Sequence, residues 1–252
     1  MTTTADAHTH ARDLAGKRAA ITGGTTGIGR AIAVLLASYG VKVFVCGRDE
    51  NHLGDALARI NEEGEGSGIS LDLAEPDASG RFFGAAQAYL GGLDIAVINA
   101  AVPASGLDQM SEDELRYAIA TDFTAYLLSA HHAKEAMKGA GGDMVLIGSM
   151  SAHVLGPGST VYAGIKAGIA GFSEALRREL GEHDIRVTLV EPGKTGADFQ
   201  YPDIPADKQR EMIGKEAMLR AEDIAVAVHY AVTQPARTVV QQITVTPIKQ
   251  DE

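Results

Sequence analysis

The chain has 252 residues, 45% of them hydrophobic, which is enough for one large continuous core. Its 22 basic and 33 acidic residues leave a formal charge of -11, which repels phosphate backbones and anionic lipid, so nucleic acid and membrane surfaces are poor partners. No apolar run approaches the ~20 residues that span a bilayer, and residues 1–15 lack the apolar centre of a secretory signal; the expected location is the cytoplasm.

In chain order, residues 1–15 read as a flexible leader. His8 and His10 within it have no third ligand nearby, so no metal site is assigned. From residue 16 to 252 the pattern is that of a single domain. Short apolar runs at 17–22, 41–46, 67–71, 93–98, 143–148, 185–190 and 239–246 alternate with helical periods near 28–39, 50–62, 77–90, 111–138, 160–182 and 221–233. This alternation predicts a doubly wound α/β fold of the Rossmann type, with about seven parallel strands flanked by helices. Cys46, the only cysteine, excludes an intrachain disulfide and reads as a buried strand thiol. Residues 195–219 break the rhythm and read as a substrate loop, with Phe199, Tyr201, Ile204, Met212 and Met218 on its apolar side.

The first strand runs directly into Gly23-Gly24-Thr25-Thr26-Gly27-Ile28-Gly29 and then into a helix. Glycines let the backbone approach a pyrophosphate, and the helix N-terminus offers it unpaired N–H groups and partial positive charge. An ordinary glycine-rich turn looks the same locally, so the downstream residues must decide. The second strand ends at Gly47-Arg48, where a dinucleotide fold meets the adenosine ribose. An acidic residue there would suit NAD(H); a guanidinium suits the 2′-phosphate of NADP(H), which is the expected cofactor.

The fifth strand ends in Ser149, at the sheet edge where open α/β folds bind ligands. Tyr162 and Lys166 follow, four apart on one helix face. Exchanging hydride between an alcohol and a carbonyl needs a proton acceptor or donor, and a phenol of pKa ~10 is a weak base at neutral pH. An ammonium about 5 Å away favours the phenolate by about 3 kcal/mol at an effective dielectric of ~20. A hydroxyl at the facing strand end can hold the substrate oxygen.

The order Thr-Gly-x-x-x-Gly-Ile-Gly, Asp72, Asn99-Ala100, Ser149, Tyr162-Ala163-Gly164-Ile165-Lys166 and Glu191-Pro192-Gly193 resembles the short-chain dehydrogenase/reductase family over nearly the whole chain. The resemblance implies that Tyr162 is the general acid/base, Ser149 orients the carbonyl and Lys166 also binds the nicotinamide ribose. It further implies a cofactor site of Gly23, Thr25, Thr26, Gly27, Ile28, Gly29, Arg48, Asp72, Leu73, Asn99, Ala100, Tyr162, Lys166, Pro192, Gly193 and Thr195. Substrate would meet Ser149, Met150, His153 and Tyr162, and the protein would be a homo-oligomer, a tetramer or dimer. Four positions depart from the family pattern: Ile98 and Ala101 stand where Asn-Asn-Ala-Gly has its first asparagine and its glycine, Ala197 replaces a threonine, with Thr195 nearby, and Asp122 replaces an asparagine at a catalytic position.

Two other classes fit less well. A serine hydrolase needs Gly-x-Ser-x-Gly, whereas Gly148-Ser149-Met150-Ser151-Ala152 lacks the second glycine. An NADP(H)-binding regulatory protein without turnover has Asp122 and Ala197 in its favour and the intact Ser149, Tyr162 and Lys166 against it.

Overall fold

Seven strands pair side by side in a computed structural model that describes residues 11–196 and 204–250. They are β1 (Arg18–Ile21), β2 (Lys42–Gly47), β3 (Glu65–Ser70), β4 (Ile95–Ile98), β5 (Gly142–Ile147), β6 (Ile185–Pro192) and β7 (Gln242–Val245). All pairings are parallel, in the order β3-β2-β1-β4-β5-β6-β7. The order reverses between β1 and β4, and a crevice opens beyond the carboxyl ends of the strands at such a reversal.

Successive strand residues point to opposite faces, and here both faces are apolar, as a parallel sheet covered on both sides requires. Ile21, Val43, Val45, Val97 and Val145 pack on one side with α1 (Gly27–Ser38), α2 (Glu50–Glu63) and α8 (Ala221–Val232), through Ile32, Leu36, Ile60, Ile224 and Val228. Ala20, Phe44, Cys46, Ile98 and Leu146 face the other side, against α3 (Ala78–Leu90), α5 (Ala125–Met137) and α6 (Thr160–Leu180), through Phe82, Tyr126, Met137 and Ile169. Each fully buried large side chain contributes about 1.5–3 kcal/mol. Burial also pushes the Cys46 thiol up to about 12, so it packs as an inert apolar group.

Helix starts follow local chemistry. Asp49 accepts from the His52 N–H at the start of α2, and Ser111 and Glu114 form a reciprocal capping box on α4 (Glu112–Ile119).

Beyond shifts of one or two residues at other element ends, four boundaries differ from the expected ones. The helix expected over 111–138 is divided: α4 leads into a single wide π turn, Ala120–Thr124, before α5 begins. The loop at 195–219 contains a further helix, α7 (Ala206–Gly214), and is closed at its ends by a bridge between Thr195 and Leu219. The last strand is shorter than 239–246. Finally, the packed body begins before residue 16: Leu14 is buried, and Arg12 donates its backbone N–H to Thr233 and ion-pairs with Asp143 at 3.1 Å. His8, His10, Ala197, Phe199 and Tyr201 lie outside the described residues. Among the described residues no helix is long and apolar enough to cross a membrane.

Candidate active site

The glycine turn joins β1 to α1 with no room for side chains. A Cβ on Gly23, whose φ is +64°, would come within 2.7 Å of the Ala100 Cα, and one on Gly29 would overlap the Gly23 carbonyl. Asn99 fastens the turn from the end of β4, donating its Nδ2 to the carbonyls of Thr22 and Gly23, each at 3.1 Å. The Thr22 hydroxyl accepts from the backbone N–H groups of Asn99 and Ala100. At the start of α1 the Thr26 side chain caps no N–H, and the first turn carries no acidic residue. That helix end therefore keeps its donors and partial positive charge for an anion.

Gly47 and Arg48 follow β2. A side chain at Gly47 would run into the buried Thr25 hydroxyl, so these two positions are packed as a pair. Arg48 donates to the Tyr117 hydroxyl, which in turn donates to Asp72 Oδ2 at 2.7 Å. Burial and the Asp72 carboxylate push the Tyr117 phenol up. Asp72 Oδ1 accepts from the Ala74 N–H at 2.9 Å. Tyr117 escapes sequence reasoning: it carries no motif, and only the fold brings α4 over the ends of β2 and β3.

At the other end of the crevice Ser149, Tyr162 and Lys166 line one cleft of about 570 Å³ together with Thr26, Ile28, Asn99, Pro192 and Gly193. Buried Lys166 donates to the Ile147 carbonyl at 3.3 Å, and its Nζ lies 5.6 Å from the centre of the Tyr162 ring and 5.2 Å from that of Tyr126. Tyr126 donates to the same carbonyl at 2.9 Å, and burial pushes its phenol up to about 12. Ser149 Oγ accepts from the Ser151 N–H at 3.1 Å, the cap of a short turn.

Asp122 is fully buried on the π turn. Its Oδ1 accepts from the Val102 N–H at 2.8 Å, and its Oδ2 has no partner among the described residues. Burial pushes this carboxyl up to about 6, against the pull of the Lys166 ammonium and the Val102 N–H.

Met150 and Ile204 also line the cleft, whereas His153 turns to the buried Glu191, with its Nε2 3.0 Å from Oε1; Gln242 holds the other carboxylate oxygen at 2.5 Å. Thr195 is buried and donates to the Gly193 carbonyl, and Met218 is buried close to Gly196. Gln250 reaches the cleft from beyond β7, where its Oε1 accepts from the Lys194 N–H at 2.9 Å. Nothing local in the sequence marks Gln250, since its place depends on how β7 ends.

A family model described as short chain dehydrogenase matches residues 17–207. The chain belongs to the short-chain dehydrogenase family. It is 31% identical over 238 residues to an uncharacterised oxidoreductase of Staphylococcus aureus strain USA300, covering 93% of this chain and 99% of that one. It is 34% identical over 191 residues to the 3-oxoacyl-[acyl-carrier-protein] reductase FabG of Chlamydia muridarum, covering 74% and 77%. Among solved structures it resembles a short chain dehydrogenase from Burkholderia cenocepacia in complex with NADP. That likeness has a TM-score of 0.82 and 30% identity, covering 94% of this chain and 98% of that one. This short-chain dehydrogenase is thus an oxidoreductase of a nicotinamide-using family. The matched span ends before α8, β7 and Gln250.

Proposed function

We propose that this short-chain dehydrogenase is a cytoplasmic NADP(H)-dependent reductase of small carbonyl compounds, with Tyr162 as its general acid/base. The observation that carries this reading is the convergence of Ser149, Tyr162 and Lys166 on one cleft that continues to the glycine turn. The cofactor fits the residues present: the uncapped N-terminus of α1 suits the pyrophosphate, and Arg48 with Thr25 beside Gly47 suits a 2′-phosphate. When bound, the cofactor would supply or accept the hydride.

The chain's own groups handle the proton. In reduction the Tyr162 hydroxyl donates to the developing alkoxide, while the Ser149 hydroxyl holds the same oxygen. The Lys166 ammonium, held by the Ile147 carbonyl, stabilises the phenolate left on Tyr162. Tyr126 is equally near that ammonium, yet its hydroxyl is buried and committed to Ile147, so Tyr162 is the phenol that serves the cleft.

The test is a panel of carbonyl compounds with NADPH and NADH, followed by absorbance near ~340 nm. Expected are turnover with NADPH, its loss by at least about 100-fold in Tyr162→Phe, and a preference for NADPH that shrinks by about 1–3 kcal/mol in Arg48→Ala. Tight NADPH binding without oxidation by any carbonyl would favour a regulatory protein instead, and equal affinities for the two cofactors would remove the role of Arg48.

A further inference from the structure

The cleft wall has a charge pattern opposite to that of the protein. The chain carries a net charge of -11, yet the described residues lining the cleft include two lysines, Lys166 and Lys194, and no aspartate or glutamate. Lys166 is committed to the Ile147 carbonyl and to Tyr162. Lys194 is not committed in this way. Its ammonium makes no ion pair or hydrogen bond with any described residue, and the residue is half-buried.

The backbone of Lys194 is nevertheless held at both ends. Its N–H donates to Gln250 Oε1 at 2.9 Å, and its carbonyl accepts from the Leu219 N–H at 2.8 Å. Those bonds fix the stem of a long cation where β6 opens into the cleft, just after Pro192 and Gly193. Gln250 contributes a second donor, because among the described residues its Nε2 meets only the Met150 sulfur, at 3.7 Å. A thioether is a weak acceptor, so the amide keeps hydrogen-bonding capacity for an anion. A lysine and an amide donor joined through the Lys194 N–H, both lining a cleft whose described residues include no carboxylate, match a carboxylate or phosphate group.

We infer that Lys194 and Gln250 form an anion subsite, and that the substrate is a carbonyl compound bearing a carboxylate or phosphate remote from the carbonyl. This rests on the proposed reductase reading and adds the substrate class. Gln250 places its donor there only because the chain beyond β7 folds back, tied by the Lys249–Glu216 ion pair at 2.9 Å.

Calorimetry on the full chain saturated with NADP⁺ tests this without turnover. Levulinate and para-acetylbenzoate are each compared with their own primary amide, which keeps the shape and removes the charge. At least one acid should bind roughly ten-fold tighter than its amide, the size of a partly exposed charge-assisted hydrogen bond. In Lys194→Met that preference should vanish while amide and NADP⁺ affinities stay within about two-fold, and Lys194→Arg should retain it. Inorganic phosphate competing with the acid would extend the subsite to phosphorylated substrates; failure to compete would restrict it to carboxylates.

Equal affinities for acid and amide in the unaltered protein, or no binding of either, would overturn the inference. So would a Lys194→Met variant that weakens NADP⁺, which would assign the ammonium to the cofactor. Failure of every carbonyl to oxidise NADPH would instead remove the parent reading while leaving the binding comparison intact.

Discussion

Asp122 holds the least comfortable side chain of the site. One carboxylate oxygen accepts from the Val102 N–H, and the other is buried without a partner among the described residues. The carboxyl is raised from 3.8 to about 6, chiefly by burial. The native state therefore holds this proton more tightly than the unfolded chain does. Stability conferred by the protonated form is present below the unfolded value and declines as pH rises towards about 6, then levels. At neutral pH the ionised group costs about 3 kcal/mol relative to its protonated form. Asp122→Asn keeps an acceptor for Val102 and removes the charge. It should raise unfolding stability by about 1–3 kcal/mol at about pH 7.5 and by less at about pH 5, as urea titration would read. The same anion near Lys166 opposes the Tyr162 phenolate, so the basic limb of alcohol oxidation should move to lower pH in the variant. An unchanged pH profile in a folded variant would make the Asp122 side chain a bystander to catalysis.

The junction of β2, the glycine turn and α1 carries the next scale. Sequence reasoning sees a glycine followed by a guanidinium, while the fold adds that Gly47 is small because Thr25 occupies its side-chain space. An acidic residue, the usual partner of the NAD ribose, is thereby excluded from position 47 by packing. Gly47→Ala should lower stability by about 1–3 kcal/mol through overpacking, and adding Thr25→Ala should recover most of that loss. Simple additivity in thermal unfolding would show that the two positions do not share space.

Elements of this kind are legible to different degrees. The strands are readable because both faces of a parallel sheet are apolar, which leaves continuous runs such as Val43–Cys46. The motif residues Asn99 and Ser149 are readable because each sits just beyond a strand end, and Tyr162 and Lys166 because they stand four apart on one helix face. The π turn at Ala120–Thr124 is hidden, since one extra residue per turn leaves the apolar pattern of 111–138 almost unchanged. Helix α7 does have a local signal, Pro205 immediately before its first residue, but the loop around it masks the helical period. Tyr117, Lys194 and Gln250 meet their partners only through long-range folding, which no spacing along the chain encodes.

At the scale of the whole molecule, the described surface keeps an open sheet edge and several exposed apolar side chains. β7 has β6 on one side and no strand on the other, so its outer edge leaves backbone donors and acceptors unpaired among the described strands. Exposed apolar side chains gather on several helices: Ile119 and Leu128 along α4 and α5, and Val226 and Tyr230 on α8. Closed symmetric assembly covers such faces with copies of themselves. The expected state is a homotetramer, so light scattering at micromolar concentration should read about four times the 26.3 kDa of one chain. Leu128→Lys places a charge where an α4–α5 contact between copies would exclude water, and should shift the mass towards the dimer without disturbing the monomer fold, because Leu128 is already 46% exposed. A monomeric mass for the unaltered protein would mean that these faces stay in water. In that case the edge of β7 must be protected within one chain, and the segment from β7 to Gln250, which also closes the Lys194 corner of the cleft, is the nearest element able to do so.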